Sequence, residues 1–310
     1  MLKRVFCGYI APIVFYVFIF SAFGDKVVAE EITSYRGEVG SFTNDFFGDG
    51  HDRWRSGSYQ RSYYSEGYRS TWFGGIELRA RSEIVTPWVP SKQPEGDLPY
   101  STLLGAGVFL HDSILGFETR LGGEAMLLGD ATGAEAVQRA VHDGLGMDDS
   151  FDPGRDDLDR VEDGFELRFE AEIGRVVDLN ERAIVRPYVE LVLGSDEAAT
   201  AGVDLVFGPM SSAEIWTRDV VTGRLLTPQV DQIRGLSWVV GWDARAVESS
   251  VHLPEGFSVE LEPTQFRSRL GLQSSLGYAN FFVGQAWLSP SFVGQAEAQR
   301  VGMLSMSFNF

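Results

Sequence analysis

Long segments of period-two alternation constrain the fold of this chain more than any other feature. Apolar and charged residues alternate between Ile76 and Ile84, and the same pattern recurs between Phe165 and Ile173. Successive side chains of a β-strand point to opposite faces, so the pattern places charges on one face of a sheet and apolar groups on the other. The sequence therefore predicts a chain that is mostly antiparallel β-sheet.

A soluble β-sandwich also alternates, but three further features favour a membrane β-barrel. Residues 1–29 run from basic to apolar to small, an order typical of a secretory signal peptide, although a retained transmembrane helix is the alternative. Several segments approach the roughly 9 to 11 residues that a tilted strand needs to cross a bilayer. The final segment, Leu304 to Phe310, also resembles the assembly signal of bacterial outer-membrane barrels.

We therefore predict a signal peptide at 1–29 and a single transmembrane antiparallel up-and-down β-barrel at 30–310, placed in the bacterial outer membrane by the barrel assembly machinery. About twelve strands are expected, an even number as bacterial barrels require. Residues 132–146 read as a short helix in an extracellular loop after the fifth strand, because they are rich in Ala and Gln and end at glycines. The candidate strands lie near 33–45, 56–65, 70–86, 101–112, 114–127, 163–176, 182–194, 199–211, 235–247, 262–277, 280–290 and 298–310.

The charge and cysteine content exclude two classes of protein. Lys and Arg number 26 against 44 Asp and Glu, which gives a net charge of -18. A nucleic-acid partner needs a basic surface, so none is expected. The single cysteine, Cys7, lies within the predicted signal peptide, and the mature chain therefore has no disulfide framework.

Strand parity gathers the candidate site residues at one end of the barrel. With both termini in the periplasm, every connection after an odd-numbered strand is extracellular. The polar residues that fall at this rim are Asn44 and Asp45 after the first strand, Ser56 at the start of the second, Lys92 after the third, and Gln138 and His142 on the helix after the fifth.

The residue types at this rim suit hydrolysis. Gln138 and His142 are four residues apart, so they share one face of a helix. A neutral histidine can take a proton from water, although a solvated surface histidine is the alternative interpretation. Asn44, Asp45 and the acidic residues that follow offer the hard oxygen ligands that calcium prefers, and Asp148 and Glu135 are candidates to complete the site.

Ser56 would be a nucleophile only if a base lay beside it, and otherwise it is an ordinary loop hydroxyl. The remaining histidines, His51, His111 and His252, are expected to be solvated.

These residues resemble the outer-membrane lipid A 3'-O-deacylase family. The resemblance spans nearly the whole mature chain, and its most specific block is Val137-Gln138-x-x-x-His142. The other matching pieces are Asn44-Asp45, Asp52-Arg53 through Ser56, Thr86-Pro87, Asp97 through Tyr100, Leu121-Gly122 and the C-terminal strands from Phe266 to Phe310.

The resemblance implies a twelve-stranded barrel that removes the ester-linked 3' acyl group of lipid A in a calcium-dependent reaction. The implied roles are a general base for His142, orientation for Gln138, and an oxyanion donor for Ser56, which replaces the family's Thr. Asp45, with Asn44 nearby, and Asp148 would hold calcium, and Lys92 would contact a lipid A phosphate. Lipopolysaccharide and the outer-membrane lipids would be the partners.

Two other functions remain open at this point. A non-catalytic barrel, such as a small porin or a binder, would also carry inward-facing charges. An outer-membrane phospholipase would use a serine nucleophile with an adjacent histidine instead of a water-activating base.

Overall fold

The computed structural model describes residues 35–51, 53–66, 74–88, 96–145, 158–208, 215–228 and 234–308; for 35, 36 and 141–145 it describes only the backbone. The predicted signal peptide lies outside these ranges. Twelve long antiparallel strands form a closed barrel, which confirms the predicted fold class. No helix in the described part of the chain is long and apolar enough to cross a membrane.

Each barrel strand pairs with the barrel strands before and after it in the chain. The first strand also pairs with the last, which closes the barrel. The barrel strands are β1 (Tyr35–Asn44), β2 (Trp54–Glu66), β3 (Gly75–Thr86), β4 (Ser101–Ile114), β5 (Phe117–Leu128), β6 (Gly164–Gly174), β8 (Ala183–Gly194), β9 (Glu197–Phe207), β12 (Gly235–Ser249), β13 (Thr264–Ser275), β14 (Ala279–Leu288) and β15 (Gln299–Phe308).

Shorter elements lie at the two ends of the barrel. The strand β7 (Val177–Asn180) extends a periplasmic hairpin with β8, and β10 (Thr217–Arg218) pairs with β11 (Leu225–Leu226) in a separate small sheet. A 3-10 turn (Asp130–Thr132) leads into the helix α1 (Ala134–Leu145), which lies in the outer loop after β5 as predicted.

The predicted alternation sorts the side chains between lipid and lumen. In β6, Phe165 and Phe169 are exposed on the outer face, whereas Arg168, Glu170 and Glu172 are buried inside. The outer face is apolar because lipid tails offer no hydrogen bonds, and closure of the sheet leaves no strand edge unpaired.

Paired charges fill the lumen. Arg79 contacts Glu77 and Glu170, and Asp243 accepts hydrogen bonds from both Arg267 and Arg269. A buried charge is tolerated only when an opposite charge and hydrogen bonds compensate its lost hydration. The inward charges that the alternation of β3 predicts are therefore held in ion pairs rather than in open water.

Residues 215–227 form a plug inside the barrel. This segment follows β9 at the periplasmic end and lies inside the lumen, where nearly all of it is buried. Ser41 donates a hydrogen bond to Asp219 (2.9 Å), Gln60 donates to the carbonyl of Arg218 (2.9 Å), and Arg79 donates to Thr217 (2.9 Å). The sequence pattern predicts no strand or helix for this segment, which occupies the lumen.

Candidate active site at the outer rim

The ends of β1, β2 and β3 bring three polar side chains together at the outer rim. Asn44 donates from Nδ2 to the carbonyl of Ser56 (2.6 Å), and the hydroxyls of Ser56 and Thr86 share a hydrogen bond (2.7 Å). The register between β2 and β3 shifts between Arg55 and Gly57, so Ser56 lies in a β-bulge. Bulges re-aim side chains, and this one turns Ser56 toward Thr86.

Alternation places this cluster on the outward face of the barrel wall. Thr43 bonds Ser58 in the lumen, so its neighbour Asn44 points outward. Val85 lines a cavity inside the barrel, so the next residue, Thr86, also points outward. The cluster therefore lies on the membrane side of the wall, where neighbouring groups cover Ser56 and Thr86.

Asp45 organises the first outer loop. Its carboxylate is only 1% exposed and accepts hydrogen bonds from the backbone N–H groups of Phe46 (2.8 Å) and Arg53 (2.6 Å). Its carbonyl accepts from the N–H groups of Gly48 (2.7 Å) and Asp49 (2.9 Å). These bonds fold residues 45–51 and Arg53 back over the start of β2.

Arg53 connects this loop to the loop between β3 and β4. Its guanidinium lies 4.5 Å from the ring of Trp54 and 4.6 Å from the ring of Trp88, and it pairs with Asp49 at 3.1 Å. Asp97 accepts from Trp54 Nε1 (3.1 Å) and from the N–H of Trp88. Burial raises the pKa of Asp97, although these donors act in the opposite direction.

The helix α1 is held against the residues that precede and begin β4. Gln138 is buried, and its Oε1 accepts a hydrogen bond from the hydroxyl of Tyr100 (3.1 Å). Thr102 donates to the carbonyl of Gly129 (2.7 Å), and Thr132 accepts from the N–H of Ala134 (3.2 Å) at the helix start. Ser101 bonds a group in the lumen, so alternation turns Tyr100 and Thr102 outward, the same side as the Ser56 cluster.

The structure thus brings some predicted site residues into contact and leaves others apart. Asn44, Ser56 and Thr86 touch. Neighbouring strands are about 4.8 Å apart, so Tyr100 and Gln138 lie roughly 10 Å along the rim from Ser56. His142 lies one helical turn beyond Gln138, but its side chain is outside the described residues, as are Lys92 and Asp148 entirely.

The described residues do not complete a calcium site. Among them, no group of three or more His, Cys, Asp or Glu side chains lies close enough to hold a metal. Both carboxylate oxygens of Asp45 accept backbone hydrogen bonds. The second expected ligand, Asp148, cannot be placed. Calcium binding therefore stays a prediction that rests on the family resemblance.

The expectation of solvated histidines is wrong for two of the three. His51 is exposed, but His111 (6% exposed) and His252 (5% exposed) are buried in the lumen, where the carboxylates of Glu77 and Glu83 bond them. Their apparent loop positions in the sequence hid partners on distant strands.

His252 completes a hydrogen-bonded trio with the residue types of a serine hydrolase. Its Nδ1 lies 2.9 Å from Ser101 Oγ, and its Nε2 lies 3.1 Å from Glu83 Oε2. Ser101 is only 1% exposed and faces the lumen, so no lipid ester reaches it. We assign this trio a structural role.

Comparison with known proteins identifies the fold. The sequence matches no protein-family model and no curated protein. The structure is similar to LpxR from Salmonella typhimurium, a lipid A 3'-O-deacylase, with a TM-score of 0.72 and 16% identity over 88% of this chain and 100% of that chain. The chain is a bacterial outer-membrane β-barrel. At 16% identity this similarity shows the barrel fold alone, so membership of the deacylase family stays a prediction from the sequence.

Two further structures are similar at lower scores. The β domain of the Bordetella autotransporter BrkA gives a TM-score of 0.45 with 12% identity, covering 89% of this chain and 100% of that chain. The KdgM porin gives a TM-score of 0.38 with 4% identity, covering 88% of this chain and 99% of that chain.

Sequence reasoning missed the supporting residues of the rim. The family resemblance includes Thr86 and Tyr100 but implies no role for them. In the structure they are the direct hydrogen-bond partners of Ser56 and Gln138. Their positions in the sequence could have indicated them, because both are outward-facing residues at the outer end of a strand, next to an outer loop.

Proposed function

We propose that this chain is an outer-membrane hydrolase that removes the ester-linked 3'-acyloxyacyl group of lipid A. The observation that carries the proposal is the cluster of Asn44, Ser56 and Thr86 on the outward rim of a barrel similar in fold to LpxR, with Gln138 and the helix of His142 on the same side. A site on this face receives its substrate directly from the outer leaflet.

The proposed roles follow from the chemistry of each side chain. His142, one turn beyond Gln138, accepts a proton from the attacking water. The Oε1 of Gln138 is bonded to Tyr100, so its amide N–H groups are directed elsewhere and orient the water or His142. The hydroxyl of Ser56 donates to the oxyanion that forms when the ester carbonyl is attacked.

Asn44 and Asp45 hold the local backbone in this scheme. Asn44 fixes the carbonyl of Ser56, and Asp45 fixes the loop that covers it. Lys92 is proposed to contact a lipid A phosphate. A calcium requirement, with Asp45 and Asp148 as ligands, belongs to the proposal too, but none of the roles above depends on it.

The plug makes the porin alternative a poor match to the structure. Residues 215–227 and the ion pairs around them occupy the periplasmic half of the lumen. We therefore expect no ion conductance when the purified barrel is inserted into planar bilayers. The phospholipase alternative needs an accessible serine with a histidine base, and the buried Ser101 does not meet that requirement.

The direct test is a lipid hydrolysis assay. Purified, folded protein is incubated with hexa-acylated lipid A or with a glycerophospholipid, each with calcium or with a chelator, and the products are followed by mass. Loss of the acyloxyacyl group from lipid A, and no loss of acyl chains from the phospholipid, supports the proposal. Absence of any acyl loss from lipid A in the presence of calcium overturns it.

A further inference from the structure

A cavity of about 60 Å³ lies in the outer half of the lumen, on the other side of the barrel wall from the rim site. The plug residues Val220 and Val221 bound it on one side, and His252 and Leu253 of the outer loop before β13 bound it on another. A buried water needs roughly 10 to 15 Å³ by this measure, so the cavity holds about four waters or one group of similar size.

Three arginines line this cavity, against two carboxylates. The cations are Arg55, Arg168 and Arg245, and the anions are Glu83 and Asp196. Glu83 is already shared, because it pairs with Arg55 (2.6 Å) and with Arg81. Arg168 pairs with Glu170 outside the lining (2.7 Å), so Arg245 is the lining cation that has no ion pair among the described residues.

The neighbouring histidine adds no charge of its own. Burial, together with the nearby guanidinium of Arg55, holds the pKa of His252 well below its ordinary value, although Asp196 acts in the opposite direction. Burial is the larger of the two causes, and His252 therefore brings no positive charge to the cavity.

Arg245 has no partner for its guanidinium. Within the part of the chain that the structure describes, its side chain forms no ion pair or hydrogen bond, and its Nε is shielded from solvent. Thr200 lies directly opposite on β9, and its Oγ1 also has no partner among those residues. The Nε of Arg168 also lacks a hydrogen bond, with Asp196 3.7 Å away.

Arg245 is partly buried, so its guanidinium loses part of its hydration without gaining an anion, and planar guanidinium groups match the oxygens of phosphate. We propose that this luminal cavity binds a phosphate group, with Arg245 as the main ligand and Arg55 and Arg168 beside it. The site does not depend on the hydrolase proposal, since it lies inside the wall that separates it from the rim cluster.

The phosphate arrives either free or on a sugar headgroup. The cavity is partly open, and His252 and Leu253 of the outer loop are among the residues that line it. Its volume admits the phosphate group, and a sugar bonded to that group would remain outside. Inorganic phosphate and glucose 1-phosphate therefore serve as the two probes.

The test is isothermal titration of the folded full-length barrel in detergent micelles with each probe, with glucose as the blank. We expect saturable binding that Arg245→Gln weakens about tenfold or more, the loss expected when a charge-assisted hydrogen bond disappears. Arg182→Gln removes the same charge at an exposed periplasmic turn and should leave binding unchanged. Binding of glucose 1-phosphate identifies a headgroup source, and binding of inorganic phosphate alone identifies the free ion.

Absence of saturable binding by wild type, or equal binding by wild type and Arg245→Gln, overturns the proposal. If Arg245→Gln fails to fold, Arg245→Lys keeps the charge but loses the bidentate geometry, and it should bind more weakly than wild type. Thermal unfolding of the wild-type barrel then gives a second readout, because a ligand that binds only the folded state raises the unfolding temperature. Unchanged unfolding at saturating phosphate also overturns the proposal.

Discussion

The outward rim of β1 to β4 and the lumen are built from the same strands, yet they hold polar groups in different ways. At the rim, small neutral side chains such as Asn44, Ser56 and Thr86 bond one another and the backbone. In the lumen, arginines and carboxylates form a dense set of ion pairs around a plug.

The difference teaches where chemistry is possible in this barrel. A neutral hydroxyl that exchanges one hydrogen-bond partner for another loses little free energy, so the rim can accept a substrate group as a new partner. Apart from Arg245, the luminal charges described above are held by ion pairs, because an unpaired charge there is costly. We therefore expect substitutions at the rim to change activity and substitutions in the lumen to change stability.

The sharpest test of the rim is His142→Ala. Removing a general base costs about 10²- to 10⁴-fold in rate, and the fold should persist because the residue lies near the end of an outer-loop helix. The initial rate of acyl loss from lipid A measures the effect. His51→Ala, another outer-loop histidine, is the matched control and should keep the wild-type rate. Full activity in His142→Ala would remove this residue from the mechanism.

The matching test of the lumen is Asp243→Ala. Asp243 accepts hydrogen bonds from Arg267, Arg269 and Tyr188, so its loss removes the carboxylate of Arg267 and leaves Arg269 with Asp204 alone. Breaking a buried pair from one side costs about 3 to 5 kcal/mol. The free energy of unfolding of the barrel in detergent measures this loss, and the rate per folded molecule should not change.

The control for this variant is Glu181→Ala, an exposed carboxylate at a periplasmic turn, which should change stability by less than about 0.5 kcal/mol. A large activity loss in folded Asp243→Ala would show that luminal charges also contribute to activity, contrary to the expected difference between rim and lumen.

A smaller effect is expected for Ser56→Ala. Loss of one oxyanion donor lowers the rate about 10²-fold. Ser56→Thr keeps the hydroxyl and should retain most activity. Thr43→Val is the matched control, because it removes a hydroxyl from the lumen side of the neighbouring strand. If Thr43→Val lowers the rate as much as Ser56→Ala does, the hydroxyl of Ser56 has no special role.

Much of the barrel follows from local sequence pattern. The alternation of Ile76 to Ile84 and of Phe165 to Ile173 predicts strands that the structure places at 75–86 and 164–174. Strand parity then predicts that Asn44, Ser56 and the helix of Gln138 share the outer rim. Both inferences use only the periodicity of side chains along a strand and the order of strands in the chain, and neither requires knowledge of distant contacts.

The plug and the buried histidines could not be predicted in this way. Asp219 bonds Ser41, 178 residues earlier, and His252 bonds Glu83, 169 residues earlier. Residues 215–227 mix charged and apolar types without a period, because the barrel surrounds them on all sides. Their structure depends on partners that become neighbours only when the sheet closes.

The smallest effect concerns the pH dependence of the first outer loop. Burial opposes ionisation of Asp49, but hydrogen bonds from Arg53 and from the backbone N–H groups of His51 and Arg300 outweigh it and lower its pKa. A lowered carboxyl pKa stabilises the loop at pH values above the unfolded pKa, about 3.9, and this contribution is lost as the pH falls through the folded pKa. The protection of the backbone amides at 45–51 against hydrogen exchange, relative to the intrinsic rate at each pH, should therefore fall below about pH 4 in wild type. Asp49→Asn should remove that pH dependence while leaving the luminal strands protected, whereas an equal fall in protection at rim and lumen would show that acid acts on the whole barrel.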